Sequence, residues 1–433
     1  MTTGAGRRVL LLQGPSNDFF ALLGDALAAR GAQAFHLALC PGDALMRRGR
    51  RARWWRGAPD EWPAWIAAHL AAEGITDLVL LGDHRPRHGP AMIAARAGGV
   101  RVHHAELGLL RPGRLSLEPD GPGAWFPRSA DGIRRLAARA RGAGGPDGPC
   151  AAAPAGFAAY AGMDVAWNMA NVLAAWALFP GYERHQLWHP LAEYAGWAWK
   201  AARAGRDRRQ GAALLAAWGL DRADAPRAPV FVLLLQLRGD AQIRARGPDA
   251  DLRVTLRRVV ADFSANAPPD ARLLIKTHPM DNALTPWRRI AKRAAGAAAD
   301  RAEVVDRVPL APLIAGAVGV VTVNSGAGLE ALAAGRPVKA LGRAVWDVPG
   351  LCHPGPLAGF WHDPAPPDMA LVADMLIALD WACHVPGAFD GPAAREGASA
   401  MAARILAPPR LMPPRGAGCG PRGDRPPIGP PPP

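Results

Sequence analysis

The sequence lacks long apolar runs, paired cysteines and any evident acidic metal motif. No stretch of about 18 consecutive apolar residues occurs, which argues against a membrane-spanning helix. The five cysteines are scattered and form no CxxC pair, so we expect neither a disulfide scaffold nor a structural zinc site. The apolar run after Arg7 and Arg8 is far shorter than the hydrophobic core of a signal peptide. These absences predict a cytoplasmic protein in a reducing compartment.

Positive charge is abundant, and it comes almost entirely from arginine. The chain of 433 residues has a formal net charge of +14, which fits nucleic acid, an anionic membrane or acidic small molecules as partners. No aromatic and basic stacking motif lies on a predicted sheet face, so a nucleic-acid partner is not expected. The length predicts two or three domains.

Strand-like apolar runs alternate with alanine-rich helical patterns along most of the chain. This alternation predicts α/β architecture: two Rossmann-like domains with parallel sheets, whose ligands lie in a cleft at the carboxyl ends of the strands. We expect an N-terminal domain at 1–140, a linker and helical connector at 141–225, and a C-terminal domain at 226–407. The tail at 408–433 is rich in Pro, Gly and Arg and is expected to be disordered.

Polar side chains follow the predicted strand LLIK at 273–276. Lys276 and His278 would project into the cleft from the carboxyl end of this strand, while Pro279 would end the strand and stiffen the turn. These positions alone fit equally well with a solvated lysine and a histidine that caps the strand.

The motif VNSGAG at 323–328 passes from a strand into a helix. Asn324, Ser325 and Gly326 would leave a hydroxyl and free backbone N–H groups at the helix start, an arrangement that binds anions. The alternative is an ordinary turn with Ser325 as the N-cap. Together with the His-Pro turn on a neighbouring strand, the motif favours binding of a nucleotide phosphate.

Seven sequence blocks between residues 8 and 390 together resemble the capsule polysaccharide biosynthesis and export family. In chain order they are LLLQGPSNDFFALLGDALAARG, LVLLGDHRPRH, ELGLLRPGRLSLE, LLLQLRGDAQI, IKTHPMD, VVTVNSGAGLEAL and WDVPGLCHPGPLAGFW. The chain is most similar to the single-module β-Kdo transferases of that family. The resemblance implies a GT-B-like fold and retaining transfer of Kdo, an acidic sugar, from CMP-Kdo. It also implies a lipid acceptor, lyso-phosphatidylglycerol or its Kdo-extended form.

The resemblance further implies the catalytic nucleophile. The aspartate of the family's D-x-Q block is the nucleophile, which here is Asp240, followed by Gln242. Asp240 also follows a predicted strand and a bend at Gly239, so its carboxylate would face the cleft and could support two displacements with net retention. The residues alone also allow Asp240 to be a simple turn cap. Glu106, at the end of an N-terminal strand, is the expected general base.

Charge suggests how the two substrates would be held. The expected donor-binding residues are Gln242, Lys276, His278, Pro279, Asn324, Ser325 and Gly326. Because this set can neutralise the donor phosphate and the Kdo carboxylate, we expect no metal ion or other cofactor. Arg111 is expected on the acceptor side. Asp83, Arg85 and His88 are expected there too, although a salt-bridged loop explains these three equally well.

Several positions depart from the family pattern. They are Leu107, Leu109, Ala241, Arg246, Thr277, Gly326 and Ala327. These changes bear on acceptor choice, whereas the expected nucleophile, the His-Pro pair and the Asn-Ser pair are intact. The intact motifs favour an active enzyme.

The segment RRGRRARWWRG at 47–57, here called the basic segment, carries six arginines beside Trp54 and Trp55. It fits anionic lipid headgroups, or it is a solvated loop. We therefore expect peripheral association with the inner face of the cytoplasmic membrane, and other capsule synthesis or export proteins as further partners. Two other functions stay open: transfer from a different CMP-sugar, as in sialyltransferases, and a non-catalytic role in capsule assembly.

Overall fold

The computed structural model describes residues 4–83, 85–148, 156–220 and 228–411. Within these ranges the chain builds two α/β units around separate sheets, so the predicted pair of Rossmann-like domains in a GT-B-like arrangement is confirmed. The part of the predicted disordered tail beyond residue 411 lies outside the described residues. Residues 149–155 of the predicted linker also lie outside them.

The N-terminal unit alternates strands and helices. Its strands are β1 (Arg8–Leu12), β2 (Gln33–Ala38), β3 (Ala52–Trp54), β4 (Asp77–Leu81), β5 (Arg101–Leu107) and β6 (Arg114–Pro119). Its helices are α1 (Phe19–Ala28), α2 (Pro41–Met46), α3 (Trp62–Ala72), α4 (His88–Ala97) and α5 (Ala130–Gly142), with a 3₁₀ turn at Pro59–Glu61. β1 reads RVLLL and is almost entirely buried, as expected for a central strand covered by helices on both faces.

The sheet of this unit has seven strands in the order β12-β6-β5-β4-β1-β2-β3, where β12 (His384–Pro386) comes from the far end of the chain. Strands β1 to β5 are parallel, whereas β6 and β12 run antiparallel to their neighbours. The chain moves from β1 outward to β3 and then returns to β4 on the other side of β1. This reversal is a topological switch point, where a crevice opens at the carboxyl ends of the strands.

The connector consists of α6 (Phe157–Leu178), α7 (Pro190–Ala202) and α8 (Ala204–Ala217). α6 packs on the N-terminal unit, where Asn171 Oδ1 accepts a hydrogen bond from the Gly42 N–H at 2.8 Å. α7 packs on the C-terminal unit through Gly196, because a Cβ atom there would lie 2.2 Å from the Asn282 carbonyl oxygen. The connector therefore contacts both units.

The C-terminal unit contains a wholly parallel sheet. Its strands are β7 (Val230–Leu234), β8 (Arg272–Lys276), β9 (Ala302–Val305), β10 (Gly319–Thr322) and β11 (Val338–Ala340). Its helices are α9 (Ala241–Arg246), α10 (Leu252–Asn266), α11 (Trp287–Ala295), α12 (Leu310–Gly316), α13 (Ala327–Ala333), α14 (Leu357–Phe360) and α15 (Met369–Cys383), with a 3₁₀ turn at Gly296–Ala298. The strand order β11-β10-β7-β8-β9 places a second switch point between β7 and β10.

The two units exchange elements, which differs from the predicted boundaries at 140 and 407. β12 pairs with β6, and the helix that follows, α16 (Ala393–Leu406), packs on α1, where the Phe389 and Phe19 rings meet edge to face at 4.9 Å. Conversely, α5 packs on α15 and joins the C-terminal core through Ile133 and Leu136. A three-residue strand carries no readable pattern, and an amphipathic helix can cover either sheet, so the sequence does not specify these partners.

Candidate functional site

Both switch points open into one cleft with a volume of about 1270 Å³. Residues at and beyond the carboxyl ends of β7, β8 and β10 form its C-terminal wall, and residues at and beyond the carboxyl ends of β1, β4 and β5 form its N-terminal wall. Helices α6 and α7 also contribute lining residues. The predicted residues that line the cleft are Arg85, Glu106, Arg111, Asp240, Gln242, Lys276, His278, Pro279, Asn324, Ser325 and Gly326.

Asp240 lies at the start of α9, just beyond the carboxyl end of β7. Its Oδ1 atom accepts a hydrogen bond from the Gln242 N–H at 2.8 Å, so the residue caps the helix. Its Oδ2 atom accepts a hydrogen bond from Gln236 Nε2 at 3.3 Å. The capping role considered from the sequence is therefore present, and the same carboxylate lines the cleft.

Gln236 is a site residue that the sequence analysis missed. Its side-chain amide donates to Asp240 and, at 2.9 Å, to Asn324 Oδ1, while its carbonyl accepts the Asn324 backbone N–H at 3.2 Å. It thereby joins the loop after β7 to the loop after β10, across the switch point. The available signal was a polar residue that directly follows the apolar run VFVLLL.

A polar chain crosses from the C-terminal wall to the N-terminal wall. Gln242 Nε2 donates to Glu106 Oε1 at 3.4 Å, and Arg246 Nη1 donates to Gln242 Oε1 at 2.9 Å. Arg246 Nη2 also lies 3.6 Å from Asp83 Oδ2. Asp83 thus contributes through Arg246, which is one of the positions that depart from the family pattern.

Glu106 has a strongly perturbed titration. Burial, together with the nearby carboxylates of Asp83 and Glu118, raises the pKa of Glu106 to about 8, while Arg246 opposes the shift. The carboxyl is therefore mostly protonated at neutral pH. Such a group can donate a proton, and it becomes a base as the pH approaches and passes its pKa.

His278 is held as a neutral hydrogen-bond donor. Its Nδ1 atom accepts the Met280 N–H at 3.1 Å, so the proton of the neutral ring lies on Nε2. Burial lowers the pKa of His278 to about 4, and the charges of Lys276, Arg111 and Lys200 act in the same direction. Three cations therefore surround a neutral imidazole.

Lys276 is the last residue of β8, and nearby acidic groups balance its buried positive charge only in part. Burial lowers the pKa of Lys276, and neighbouring Lys200 contributes to the shift, while Asp306 and Glu330 oppose it. Its Nζ atom donates to the Thr277 carbonyl at 3.4 Å. A bound anion would supply the compensation that Lys276 lacks.

Lys200 of α7 fixes the His-Pro turn, and the sequence analysis missed it. The side chain is buried, and its Nζ atom lies 3.0 Å from Asp306 Oδ2. It also donates to the carbonyl oxygens of Asp281, Pro279 and His278 at 3.0, 3.1 and 3.5 Å. The available signal was a lone lysine inside the apolar helical stretch YAGWAWKAA.

The Asn-Ser-Gly motif makes a short helix start. α13 has only seven residues, and its N-cap is Gly326 rather than Ser325, which differs from the N-cap role considered above. Ser325 lies one residue earlier, and its Oγ accepts the Ala327 N–H at 3.2 Å. A Cβ atom on Gly326 would lie 3.2 Å from the Leu109 carbonyl oxygen of the opposite unit. Gly326 therefore permits close approach of the two walls, while anion binding at this turn stays a prediction.

The structure separates the residues predicted for the acceptor side. Arg111 lines the cleft, and its Nε atom donates to the Gly108 carbonyl at 2.9 Å. Arg85 also lines the cleft, but Nη1 donates to the backbone carbonyls of the loop after β1. His88 does not reach the cleft. It is fully buried at the start of α4, where Nδ1–H donates to the Gly82 carbonyl at 2.9 Å, because the turn before α4 directs this side chain into the core.

Within residues 4–83, 85–148, 156–220 and 228–411, no three side chains of the His, Cys, Asp or Glu type are grouped so that they could hold a metal ion. In the same part of the chain, no helix has the length and apolar character needed to cross a bilayer.

Two α/β units that face a charged cleft, joined by an exchange of terminal elements, define a GT-B-like two-domain protein. The family model described as "Capsule polysaccharide biosynthesis protein" matches residues 76–389. The chain is 30% identical to the capsule polysaccharide export protein KpsS of Escherichia coli over 85% of this chain and 92% of that protein. The protein therefore belongs to the capsule polysaccharide biosynthesis family.

Two further similarities were found. The capsule polysaccharide modification protein LipB of Neisseria meningitidis serogroup A is 30% identical over 85% of this chain and 88% of its own length. Among solved structures, the β-Kdo 2,7 transferase of Thermosulfurimonas dismutans KpsC is 14% identical with a TM-score of 0.42, over 85% of this chain and 89% of that one.

Proposed function

We propose that the protein is a glycosyltransferase of capsule polysaccharide synthesis that transfers Kdo from CMP-Kdo to a lipid acceptor with retention of configuration. The observation that carries the proposal is the position of Asp240, whose carboxylate lies at a switch point and lines the same cleft as Lys276 and His278. Family membership supports a role in capsule synthesis, and the sequence blocks shared with β-Kdo transferases support the donor.

In the first displacement, an Asp240 oxygen attacks the anomeric carbon of Kdo while the bond from that carbon to the phosphate oxygen of CMP breaks. The products of this step are a glycosyl ester of Asp240 and free CMP. Hydrogen bonds from Gln236 and from the Gln242 N–H orient the carboxylate before attack. Such orientation lowers the entropic part of the barrier.

In the second displacement, an acceptor hydroxyl attacks the same carbon and releases Asp240 as a carboxylate. Two inversions give net retention. Ionised Glu106 takes the hydroxyl proton, and its hydrogen bond from Gln242 links it to the loop that carries the nucleophile. The raised pKa of Glu106 requires the rate of this step to depend on pH.

The donor's negative charges meet the cations of the cleft. Lys276 and Arg111 would pair with the phosphate and the Kdo carboxylate, and His278 would donate from Nε2. This proposal includes no metal ion or other cofactor, because charge-assisted hydrogen bonds from these groups can stabilise departing CMP.

The acceptor and the location form a separate part of the proposal. The acceptor is a lipid, lyso-phosphatidylglycerol or its Kdo-extended form, and the protein works at the inner face of the cytoplasmic membrane with other capsule proteins as partners. A lipid acceptor that stays in its bilayer requires an enzyme that binds the membrane surface, and the arginine content supports such binding.

The deciding experiment measures transfer from CMP-Kdo to a lyso-phosphatidylglycerol analogue by wild-type protein and by Asp240→Asn. The amide retains the oxygen that caps α9, so the fold should survive while the nucleophile is lost. We expect transfer to fall on the order of a thousandfold or more, with CMP binding retained. Asp251→Asn is the matched control, because Asp251 caps α10 through the Arg253 N–H at 2.9 Å in the same way.

Other outcomes separate the alternatives. Product from CMP-sialic acid but not from CMP-Kdo would assign a different CMP-sugar donor. Transfer by Asp240→Asn at close to the wild-type rate would refute the proposed nucleophile. A wild-type protein that binds CMP but transfers to no acceptor would favour a non-catalytic capsule-assembly role.

A further inference from the structure

One face of α6 is apolar and open to solvent. Leu173 is 72% exposed, Trp176 is 78% exposed and Val165 is 39% exposed. Met169 and Val172 lie on the same face at helical spacing and are partly exposed. No charged residue occurs between 165 and 178, which is unusual for an exposed helix of a water-soluble unit. We call these five residues the α6 stripe.

The basic segment adjoins the carboxyl-terminal end of the α6 stripe. The Trp54 ring stacks on the ring of Phe179, which directly follows α6, with centroids 5.0 Å apart. Arg56 Nη2 donates to the Ala177 carbonyl at 3.3 Å. The arginines and the apolar stripe therefore form one continuous surface.

Two of the four exposed arginines of this surface keep uncompensated charge. The exposed ones are Arg48, Arg51, Arg53 and Arg56. Arg48 pairs with Asp18 at 2.6 Å, and Arg53 lies 3.8 Å from Glu73. Arg51 and Arg56 form no ion pair with any residue that the structure describes. Residues 47–57 contain no acidic side chain, so the segment is strongly positive.

We propose that the α6 stripe and the basic segment together dock the protein on an anionic lipid bilayer. Leucine and tryptophan side chains would enter the boundary between headgroups and acyl chains, with α6 lying in the plane of the surface. The arginines would contact acidic headgroups. This inference identifies the surface through which the protein would bind at the proposed membrane location. It rests on the proposed function only for the identity of the membrane.

The opposite side of α6 connects this surface to the cleft. Asp164, Trp167 and Asn168 line the cleft, whereas Leu173 and Trp176 face solvent. Docking through the α6 stripe would therefore place the cleft one helix away from the bilayer. An acceptor that keeps its acyl chain in the membrane could then present its headgroup to the cleft.

A second copy of the chain is the alternative occupant of an exposed apolar face. In a two-fold symmetric dimer the same patch meets itself, so the apolar stripe of one copy would cover that of the other. The arginines around Trp54 would gain no acidic partner from the basic segment of the second copy, because residues 47–57 contain no acidic side chain. An anionic bilayer satisfies the apolar stripe and the positive charge together, and for this reason it is the occupant that we propose.

The test is flotation of the full chain with vesicles of phosphatidylcholine, with and without phosphatidylglycerol. We expect binding to the anionic vesicles that weakens as salt is raised. Leu173→Ser with Trp176→Ser should weaken partitioning by roughly tenfold or more, because both side chains leave the bilayer. Arg51→Gln with Arg56→Gln should weaken it by a similar factor and reduce the salt dependence.

Matched controls lie on other exposed helices. Val254→Ser with Met369→Ser removes exposed apolar side chains from α10 and α15, and Arg208→Gln with Arg209→Gln removes the same charge from α8. Both controls should bind vesicles like the wild type. Equal binding by all variants would overturn the proposal. So would a dimer in solution that Leu173→Ser with Trp176→Ser converts to a monomer while vesicle binding is absent.

Transfer to a soluble acceptor analogue distinguishes this inference from the proposed function. The α6 stripe lies outside the cleft, so its variants should transfer to such an acceptor at the wild-type rate. Vesicle binding that follows the predictions while no transfer is detected would support the docking surface and count against the enzyme proposal. Transfer without vesicle binding would support the enzyme proposal and count against the docking surface.

Discussion

The two walls of the cleft contain ionisable groups of opposite type, and burial disfavours the charged form of each: basic groups on the C-terminal wall and a carboxyl group on the N-terminal wall. On the C-terminal wall, Lys276 and His278 both have a lowered pKa because burial and neighbouring cations disfavour their protonated forms. On the N-terminal wall, Glu106 has a raised pKa because burial and neighbouring carboxylates disfavour ionisation. The C-terminal wall therefore lacks an anion that would balance its basic groups, whereas Glu106 on the N-terminal wall keeps its proton at neutral pH.

This difference assigns the walls to different substrates. A wall with crowded cations gains most from a ligand that brings phosphate and carboxylate groups, as a CMP-sugar does. A wall with a carboxyl that titrates near neutral pH is suited to proton transfer with a hydroxyl. Arg111 is the exception, because it comes from the N-terminal unit and yet lies close enough to His278 to lower its pKa.

Removal of a cation from the C-terminal wall is the strongest way to test the comparison. We expect Lys276→Met to weaken CMP binding by roughly 30-fold to 150-fold, because a charge-assisted hydrogen bond is worth about 2 to 3 kcal/mol. The fold should not suffer, since an apolar side chain of similar length removes the cost of a buried charge. Calorimetric titration with CMP measures the affinity, and thermal unfolding measures the stability.

The control for this variant is Lys292→Met, which removes an exposed lysine from α11 outside the cleft. Glu106→Gln provides the comparison across the cleft, and it should bind CMP like the wild type. If Glu106→Gln weakened CMP binding as much as Lys276→Met, the division of labour between the walls would be wrong.

Lys200→Met should lower the stability of the fold, whereas Lys276→Met should not, although both lysines are buried. Lys200 is fully compensated by Asp306 and by three carbonyl oxygens, so its loss leaves those groups without a partner. We expect a loss of about 2 kcal/mol in the free energy of unfolding, below the usual range for a fully buried pair because Asp306 is partly exposed. Denaturant unfolding measures this loss.

The double variant Lys200→Met with Asp306→Asn serves as the control for that prediction. It should recover part of the stability, because the uncompensated carboxylate is removed as well. A Lys200→Met protein as stable as the wild type would show that the lysine does not support the His-Pro turn.

The parts of the fold and site that follow from sequence are those with strong local patterns. Apolar runs such as VFVLLL and RLLIK specify buried parallel strands, and polar residues just after such strands must reach the cleft. Asp240, Lys276, His278 and Asn324 all belong to this group and all line the cleft. Local pattern and topology agree at these positions.

The parts that do not follow depend on long-range packing. His88 lies only a few residues beyond β4, but the turn before α4 decides that it enters the core. Lys200 is on a connector helix, and its partners are about 80 to 106 residues away in sequence. Neither the turn geometry nor the docking of α7 leaves a periodic signal in the chain.

The titration of Glu106 provides a smaller but sharper test. If ionised Glu106 accepts the acceptor proton, transfer should rise about tenfold from about pH 7 to about pH 9, because the fraction of ionised Glu106 grows through its pKa of about 8. Glu106→Gln should remove this rise. A flat rate across that range in the wild type would exclude Glu106 as the base.

The same pKa makes a statement about stability. The ordinary pKa of a glutamate is 4.5, so between that value and about 8 the folded state holds a proton that the unfolded state has lost. Stability attributable to Glu106 therefore falls as the pH rises through this interval. Glu106→Gln should flatten that decline, which denaturant unfolding at several pH values would detect.

The smallest expected effect is the pH dependence of ligand binding through His278. It contrasts with the strong pH dependence of transfer expected from Glu106. With a pKa of about 4, the ring stays neutral well above that value, so its Nε2–H donor is constant. Binding of the methyl ester of CMP, whose phosphodiester does not titrate, should change by less than about twofold from about pH 5.5 to about pH 7. His278→Gln should bind this ligand more weakly by the same factor at both ends of the range. A steep gain in wild-type affinity toward acid would mean that His278 becomes protonated there, and the cations around it would then not be holding its pKa low.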